Sequence, residues 1–139
     1  MPAAPRWPTV SEVIIELSDD GVRAANACFY DALEQADLEK MQDIWVKTDD
    51  AVCAHPGRTP LRGWPEVWAS WEAILTSGGN PQVIITEEEV TRRGSIAWVT
   101  ATENMISGGH TGAAAALNVF EHDGEQWRMV VHHAAPVLA

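Results

Sequence analysis

The sequence of 139 residues predicts an α+β fold, in which three N-terminal helices pack on one strongly curved, mainly antiparallel sheet. Apolar residues recur at helical spacing three times in the first half of the chain. The second half contains four long segments of strand composition, and two of their connections, Arg93-Gly94 and Asp123-Gly124, carry a two-residue hairpin signal. Helices followed by a meander of hairpins are typical of this fold class.

Each of the three helices has a recognisable start. The first is predicted over residues 19–35, after N-cap candidates at 18–20, and the second begins after the capping residue Asp37. The third begins at Trp64-Pro65, where a proline in the first turn costs no hydrogen bond, and it ends at Gly78-Gly79. Residues 18–139 are expected to form one domain, preceded by an irregular arm of residues 1–17 with a short helical piece at 9–16.

The strands follow from short apolar runs bounded by turn residues. A strand at residues 51–55 ends at Pro56-Gly57, and Leu61-Arg62 is its very short partner. The acidic run at residues 87–89 is interpreted as a solvated strand edge. The long strands are predicted at residues 82–92, 95–106, 113–122 and 125–134.

The last hairpin decides which side chains face the helices. With a two-residue turn at Asp123-Gly124, the bulkier face is predicted to pack under the helices and consists of Asn118, Phe120, Trp127, Met129, Val131 and His133. Because side chains alternate across a strand, His132 points to the opposite face, unless a β-bulge inverts that part of the register. The opposite, convex face of the sheet carries a largely apolar stripe of Leu117, Val119, Val130 and His132. This stripe predicts a homodimer that forms through the convex face.

The hairpin at Arg93-Gly94 places an acidic residue inside the domain. Its more apolar face is expected to point inward, and strand alternation takes Glu103 with it. The alternative is a shifted register in which this side chain faces solvent. A buried carboxylate is unfavourable unless it is paired or hydrogen-bonded, and the candidate partners are His55, His133 and Asn118.

Charge and composition exclude several classes of protein. A formal net charge of −11 argues against nucleic-acid binding and against docking on anionic membranes. No apolar run is long enough for a transmembrane helix and the first residues have no signal-peptide core, so a cytoplasmic location is expected. Cys28 and Cys53 match no metal-binding spacing and are expected to be buried, reduced thiols.

Several short motifs occur in a distinctive order and spacing: FYDAL at 29–33, ADL at 36–38, CAHPG at 53–57, GW through SW at 63–71, TEN at 102–104, NVF at 118–120 and HHAAP at 132–136. Together they resemble the SnoaL-like branch of the NTF2-like superfamily over about residues 20–137. It implies a cone-shaped fold. It implies no single activity, because the superfamily includes isomerases, cyclases, hydrolases, dehydratases and non-enzymatic binding or assembly domains.

The ketosteroid isomerases of this superfamily imply a place for a general base. Their catalytic aspartate precedes a turn of Pro-Gly type, and this position matches His55. An imidazole acts as a base near neutral pH without a large pKa shift. Their oxyanion tyrosine falls at or next to Phe29, with Tyr30 one position away, and no acidic residue occupies the segment 113–116 that would supply the second donor. Steroid isomerisation is therefore not expected.

These features predict a cofactor-independent enzyme that performs acid–base chemistry of the isomerase, cyclase or dehydratase type on a small hydrophobic molecule. The alternative is a non-catalytic ligand-binding or assembly module of the same fold. No metal site is expected, because adjacent histidines on a strand diverge. The candidate catalytic residues are His55, Glu103 and His133. The candidate pocket residues are Phe29, Tyr30, Trp45, Trp68, Trp71, Asn118, Phe120 and Met129.

Overall fold

The computed structural model of the chain describes residues 6, 7, 9 and 18–138, and it confirms an α+β fold with three helices on a six-stranded sheet. The helical piece predicted at residues 9–16 lies, except for its first position, outside the described residues. The elements are α1 (Asp19–Gln35), α2 (Leu38–Ile44), β1 (Val52–Ala54), β2 (Leu61–Arg62), α3 (Trp64–Leu75), β3 (Gln82–Arg93), β4 (Ile96–Ser107), β5 (His110–His122) and β6 (Trp127–Pro136).

The sheet has the strand order β2-β1-β6-β5-β4-β3. All neighbouring strands are antiparallel except β1 and β6, which are parallel. Helix α1 packs across β3, β4 and β6, whereas α3 packs on β1 and β2, so one face of the sheet is covered by helices. The hydrophobic core fills the space between them. We call the other side of the sheet the open face.

The helix ends follow the local signals in the sequence. The side chain of Ser18 caps α1 by accepting a hydrogen bond from the amide of Gly21 at 3.4 Å. Asp37 caps α2 in the same way, through the amide of Lys40 at 3.0 Å. Between the two helices, Ala36 adopts a left-handed conformation with φ of 51°, which ends α1 and redirects the chain.

The β5–β6 hairpin has a four-residue turn, not the predicted two-residue turn. His122 pairs with Trp127, and the carboxylate of Asp123 accepts hydrogen bonds from the amides of Glu125 and Gln126, each at 2.9 Å. This shift moves the pairing by two residues. Because alternation has a period of two, the same residues near the turn still face the helices, including Trp127.

A β-bulge in β6 then exchanges the two histidines. Val119 pairs with Val131 and Phe120 pairs with Met129, so Val130 is an extra residue. Beyond it the alternation is inverted: His132 is 3% exposed on the helix-covered face, and His133 lies exposed on the open face. The prediction that His133 faces inward is therefore wrong. The stripe on the open face likewise contains Val131 and His133 in place of Val130 and His132.

A second bulge lies in β3. Glu87 has a φ of 55°, and the register with β4 shifts between the pairs formed by Thr86 and Glu89. The bulge turns Glu88 toward α1, where it is half-buried, while Glu87 and Glu89 stay exposed. The interpretation of residues 87–89 as a uniformly solvated edge is thus wrong for Glu88. On β4 the predicted face is found, since Glu103 is 1% exposed.

Candidate active site

A cluster of buried polar side chains lies between α1 and the helix-covered face of the sheet. Tyr30 comes from α1, and Glu103, Asn118 and His132 come from the neighbouring strands β4, β5 and β6. Their exposed fractions are 4%, 1%, 0% and 3%, so bulk water does not reach them. Buried polar groups lower stability unless each finds a partner, and the partners here lie within the cluster itself.

Hydrogen bonds connect these four side chains in a row, in which each residue from His132 through Asn118 and Tyr30 donates to the next and Glu103 is the last acceptor. Tyr30 Oη donates to Glu103 Oε2 at 2.6 Å and accepts from Asn118 Nδ2 at 3.0 Å. Asn118 Oδ1 lies 2.6 Å from His132 Nδ1, and because this oxygen can only accept, His132 Nδ1 carries the proton. The other ring nitrogen, Nε2, therefore has a free lone pair, and it lies 4.0 Å from Glu103 Oε2.

Asn26 extends the cluster to the rim of the domain. This side chain is fully buried and lies one helical turn before Tyr30 on the same face of α1. Its Oδ1 accepts from Asn118 Nδ2 at 2.8 Å, and its Nδ2 donates to Glu88 Oε2 at 2.9 Å. The side chain of Glu88 is 28% exposed. A continuous chain of hydrogen bonds thus runs from a partly exposed carboxylate to a buried imidazole.

Burial shifts the charge states within the cluster. Loss of solvation raises the pKa of Glu103, and the hydrogen bond from Tyr30 opposes this only in part. Desolvation also raises the pKa of Tyr30, and the nearby carboxylate of Glu103 adds to the effect. Burial lowers the pKa of His132 to about 3. Glu103 and His132 are thus shifted toward a neutral acid beside a neutral base, the starting state for concerted proton donation and acceptance.

His55 lies at the edge of the cluster and has a defined tautomer. Ser70 Oγ is 2.7 Å from the carbonyl oxygen of Val67, to which it donates its hydroxyl hydrogen. In the 2.9 Å hydrogen bond between the two side chains, His55 Nε2–H is therefore the donor and Ser70 Oγ the acceptor. The other ring nitrogen, Nδ1, carries the lone pair. Burial lowers the pKa of His55, and the charge of Arg58 adds to the effect, so the neutral ring is favoured.

Aromatic rings surround both imidazoles. The Trp71 ring meets that of His55 edge-on, with 4.8 Å between centroids, and lies 5.8 Å from that of His132. The Phe29 ring lies 4.7 Å from that of His132 and meets Trp71 edge-on at 5.4 Å. The two histidines are therefore neighbours across Trp71, in apolar surroundings that strengthen electrostatic interactions.

The cysteines differ in exposure but are both free thiols. Cys53 is buried, with Sγ 3.6 Å from His55 Nε2, and burial raises the pKa of its thiol to about 12. It is therefore protonated at neutral pH and unsuited to nucleophilic attack. Cys28 is exposed, contrary to the prediction that both thiols are buried.

The structure places most of the predicted pocket residues in the hydrophobic core around this cluster. Trp68 is half-buried and stacks on Trp64 with 5.6 Å between ring centroids. The other apolar members are at most 2% exposed and are Phe29, Trp45, Trp71, Phe120 and Met129. Of the predicted catalytic residues, Glu103 and His55 lie in or beside the cluster, and His133 does not.

Sequence reasoning missed three members of the cluster. Asn26 interrupts the apolar stripe of the first helix at helical spacing from Tyr30, a signal that could have identified it. Glu88 and His132 face inward only because of the bulges in β3 and β6, which no local sequence signal announces.

Two features are absent from the part of the chain that the structure describes. Among these residues, no three His, Cys, Asp or Glu side chains lie close enough together to hold a metal ion. None of the described helices combines the length and the apolar character needed to cross a lipid bilayer.

Comparison with known proteins identifies the family. The family model of the SnoaL-like domain matches residues 22–139. A solved structure from Streptomyces avermitilis, a proposed dehydratase of the NTF2-like family, is 35% identical, with a TM-score of 0.81 over 86% of this chain and 96% of that one. A proposed calcium/calmodulin-dependent protein kinase type II association domain from Thiobacillus denitrificans is 30% identical, with a TM-score of 0.77 over 84% and 94% of the two chains.

A curated plant protein also matches. The F-box protein SKIP8 of Arabidopsis thaliana is 27% identical over 117 residues, which are 83% of this chain. The match covers 49% of the plant protein, so this chain spans about half the length of that relative. From the family match and the two solved structures, the chain belongs to the SnoaL-like family of the NTF2-like superfamily.

Proposed function

We propose that the chain is a cofactor-independent enzyme that performs acid–base chemistry of the dehydratase, isomerase or cyclase type on a small hydrophobic molecule. The proposal rests on the surroundings of the buried carboxyl group of Glu103. Its Oε2 accepts a hydrogen bond from the Tyr30 hydroxyl at 2.6 Å and lies 4.0 Å from His132 Nε2, which carries a lone pair. A proton donor and a proton acceptor thus lie side by side in an apolar interior. We also place the protein in the cytoplasm, where its free thiols stay reduced.

A carboxyl group at this depth is difficult to explain as a stabilising feature. The other inward positions of β4 are apolar, namely Ala97, Val99, Ala101 and Met105. A buried polar group costs about 1–3 kcal/mol relative to its solvated state unless hydrogen bonds compensate it. An apolar side chain at position 103 would avoid that cost, so the carboxyl group is better explained by chemistry than by packing.

Dehydration of a β-hydroxy carbonyl compound illustrates what the pair can do. His132 Nε2 takes the proton from the carbon next to the carbonyl, and Glu103 donates its proton to the departing hydroxyl group. One C–H bond and one C–O bond break, a C=C bond forms, and water leaves. Proton transfer from His132 to Glu103 restores both neutral groups. The 35% identical relative described as a proposed dehydratase supports this reaction class.

His55 is proposed as a second polar contact for the substrate. Because its Nε2 donates to Ser70, the lone pair on Nδ1, with the Cys53 thiol 4.0 Å away, can accept a hydrogen bond or a proton. At 8% it is also more exposed than the four side chains of the central cluster. We therefore propose that the substrate approaches from the His55 side, over the ring of Trp71.

Turnover by the purified protein tests the proposal. Native mass spectrometry of the protein from its host can first identify a bound molecule, and a panel of β-hydroxy carbonyl compounds can then be followed by the ultraviolet absorbance of the conjugated product. Glu103→Gln keeps the shape but removes the acid, so we expect kcat to fall by about 100-fold or more. The control Glu89→Gln, on the exposed side of β3, should not change kcat.

The outcomes separate the two candidate functions. Equal turnover by wild type and Glu103→Gln would contradict the acid role of this group. A compound that binds tightly, is released unchanged and binds the Glu103→Gln variant equally well would show a binding module instead.

A second candidate function, assembly, is supported by the open face of the sheet. Trp98, Val119 and Val131 lie side by side on β4, β5 and β6, and the neighbouring Leu117 is 37% exposed. We propose that this apolar row packs on the same row of a second copy, which gives a homodimer with two-fold symmetry. The 30% identical relative described as a proposed association domain supports this role.

A further inference from the structure

We infer that Glu88 sets the tautomer of His132 from the rim of the domain, by orienting the amides of Asn26 and Asn118 that lie between them. The three residues are positioning residues, because they act on His132 and not on the substrate. The inference deepens the proposed function, and its bearing on catalysis rests on the proposed role of His132 Nε2 as a base. The tautomer itself can be measured without any substrate.

Glu88 fixes the orientation of the first side-chain amide, because a carboxylate can only accept hydrogen bonds. Its Oε2 lies 2.9 Å from the side chain of Asn26, so the amide nitrogen of Asn26 must face it. Turning the amide over would place two acceptor oxygens against each other at hydrogen-bond distance. Arg23 Nε lies 3.9 Å from the other carboxylate oxygen, so donors face both oxygens of Glu88.

The orientation then passes through two amides. Because the nitrogen of Asn26 faces Glu88, its Oδ1 points at Asn118. Asn118 must therefore donate from Nδ2 to this oxygen, and the distance is 2.8 Å. The same Nδ2 donates to Tyr30 Oη at 3.0 Å, which leaves the tyrosine hydrogen for Glu103. Asn118 Oδ1 is then directed at His132, because each amide has one donor end and one acceptor end.

The last step fixes the imidazole. Asn118 Oδ1 lies 2.6 Å from His132 Nδ1, so this nitrogen must carry the hydrogen, and Nε2 faces Glu103 with its lone pair. If the two amides turned over, His132 Nδ1 would have to accept, Nε2 would carry the hydrogen, and Tyr30 would donate to Asn118 instead of Glu103. That state has no base facing the acid. Glu88 opposes it from the far end of the chain.

The experiment measures the ¹⁵N chemical shifts of the His132 ring, which differ strongly between a protonated and an unprotonated nitrogen, in full-length variants at neutral pH. Wild type should show hydrogen on Nδ1. Glu88→Gln still offers an acceptor oxygen and should keep this tautomer. Glu88→Lys offers only donors, so we expect it to move the hydrogen to Nε2. The control Glu89→Lys makes the same charge change at an exposed neighbour and should have no effect.

The tautomer found in wild type and in the Glu88 variants decides whether the inference holds. Hydrogen on Nε2 in wild type, or the same tautomer in Glu88→Lys as in Glu88→Gln, would overturn the inference. Because a general base contributes about 100-fold or more, Glu88→Lys should lower turnover by up to that factor. A shifted tautomer with unchanged turnover would leave the inference standing and refute the proposed base.

Discussion

Replacing Glu103 with glutamine should change the stability of the protein in a way that depends on pH. Burial raises the pKa of this carboxyl group above its ordinary value of 4.5. The folded protein therefore keeps the proton at pH values where the unfolded chain has released it. For a group of this kind, the contribution to stability is fully present below about pH 4.5 and is lost as the pH rises through the folded pKa.

The size of the effect follows from this linkage. Between the unfolded and folded pKa values, wild type should lose about 1.4 kcal/mol of unfolding free energy per pH unit through this one group. Glu103→Gln has no such proton to lose, and its amide oxygen can still accept from Tyr30. The difference between variant and wild type should therefore grow in favour of the variant from pH 4 upward, and become constant above the folded pKa.

Urea unfolding between pH 4 and pH 8, followed by the fluorescence of the seven tryptophans, measures this difference. Other carboxyl groups titrate in both proteins and cancel when the two curves are subtracted. Glu89→Gln, at an exposed position on β3, serves as the control and should run parallel to wild type. A difference that stays constant with pH, or that grows toward low pH, would refute the argument that desolvation dominates at Glu103.

Three further predictions concern the open face and the last hairpin. Leu117→Asp combined with Val131→Asp puts carboxylates into the proposed interface and should give a monomer in sedimentation velocity, whereas a persisting dimer would exclude that interface. His133→Ala should leave turnover unchanged, because this side chain lies on the opposite face from the cluster. The hydrogen bond from Arg128 holds the pKa of Asp123 well below its ordinary range. The stability that this carboxylate contributes is present above its unfolded-state pKa and is lost as the pH falls through the folded pKa. Asp123→Asn should therefore cost about 1 kcal/mol or less at neutral pH, and a thermal scan at acid pH should show a smaller difference.

The helices could be predicted because their boundaries depend on local chemistry. Ser18 and Asp37 cap the helices that follow them, and the proline at position 65 lies in the first turn of α3, as expected from sequence. Each of these signals acts within a few residues of the chain, so neighbouring strands do not alter it.

The hairpin registers could be predicted only in part. The offset at the last turn arises because the Asp123 carboxylate binds the amides that follow it and the side chain of Arg128, which stabilises a four-residue turn. The extra residue at Val130 depends on how β6 fits between two neighbouring strands. Interactions across the sheet decide such a bulge, and the composition of β6 does not reveal it.

The candidate site was accordingly predicted in its carboxyl group but not in its imidazole. Glu103 could be placed inward by alternation alone, since β4 has no bulge between its turn and this residue. His132 required the bulge in β6, and the role of Asn26 required knowledge of which strand residues α1 covers. A single polar residue within an apolar helical stripe is the signal that deserves weight in related sequences.

The position of β6 has a consequence for how the chain folds. This strand lies between β1 and β5, so β1 and β2 cannot join the sheet until β6 has been built into it. The pairing of Val52 with Val131 closes a loop that contains most of the domain. Such distant pairings make loop-closure entropy large and folding slow compared with helical domains of similar length. Helix α3 packs on β1 and β2, so its apolar face cannot be buried on the sheet until the last strand is in place, and the chain is prone to aggregation until then.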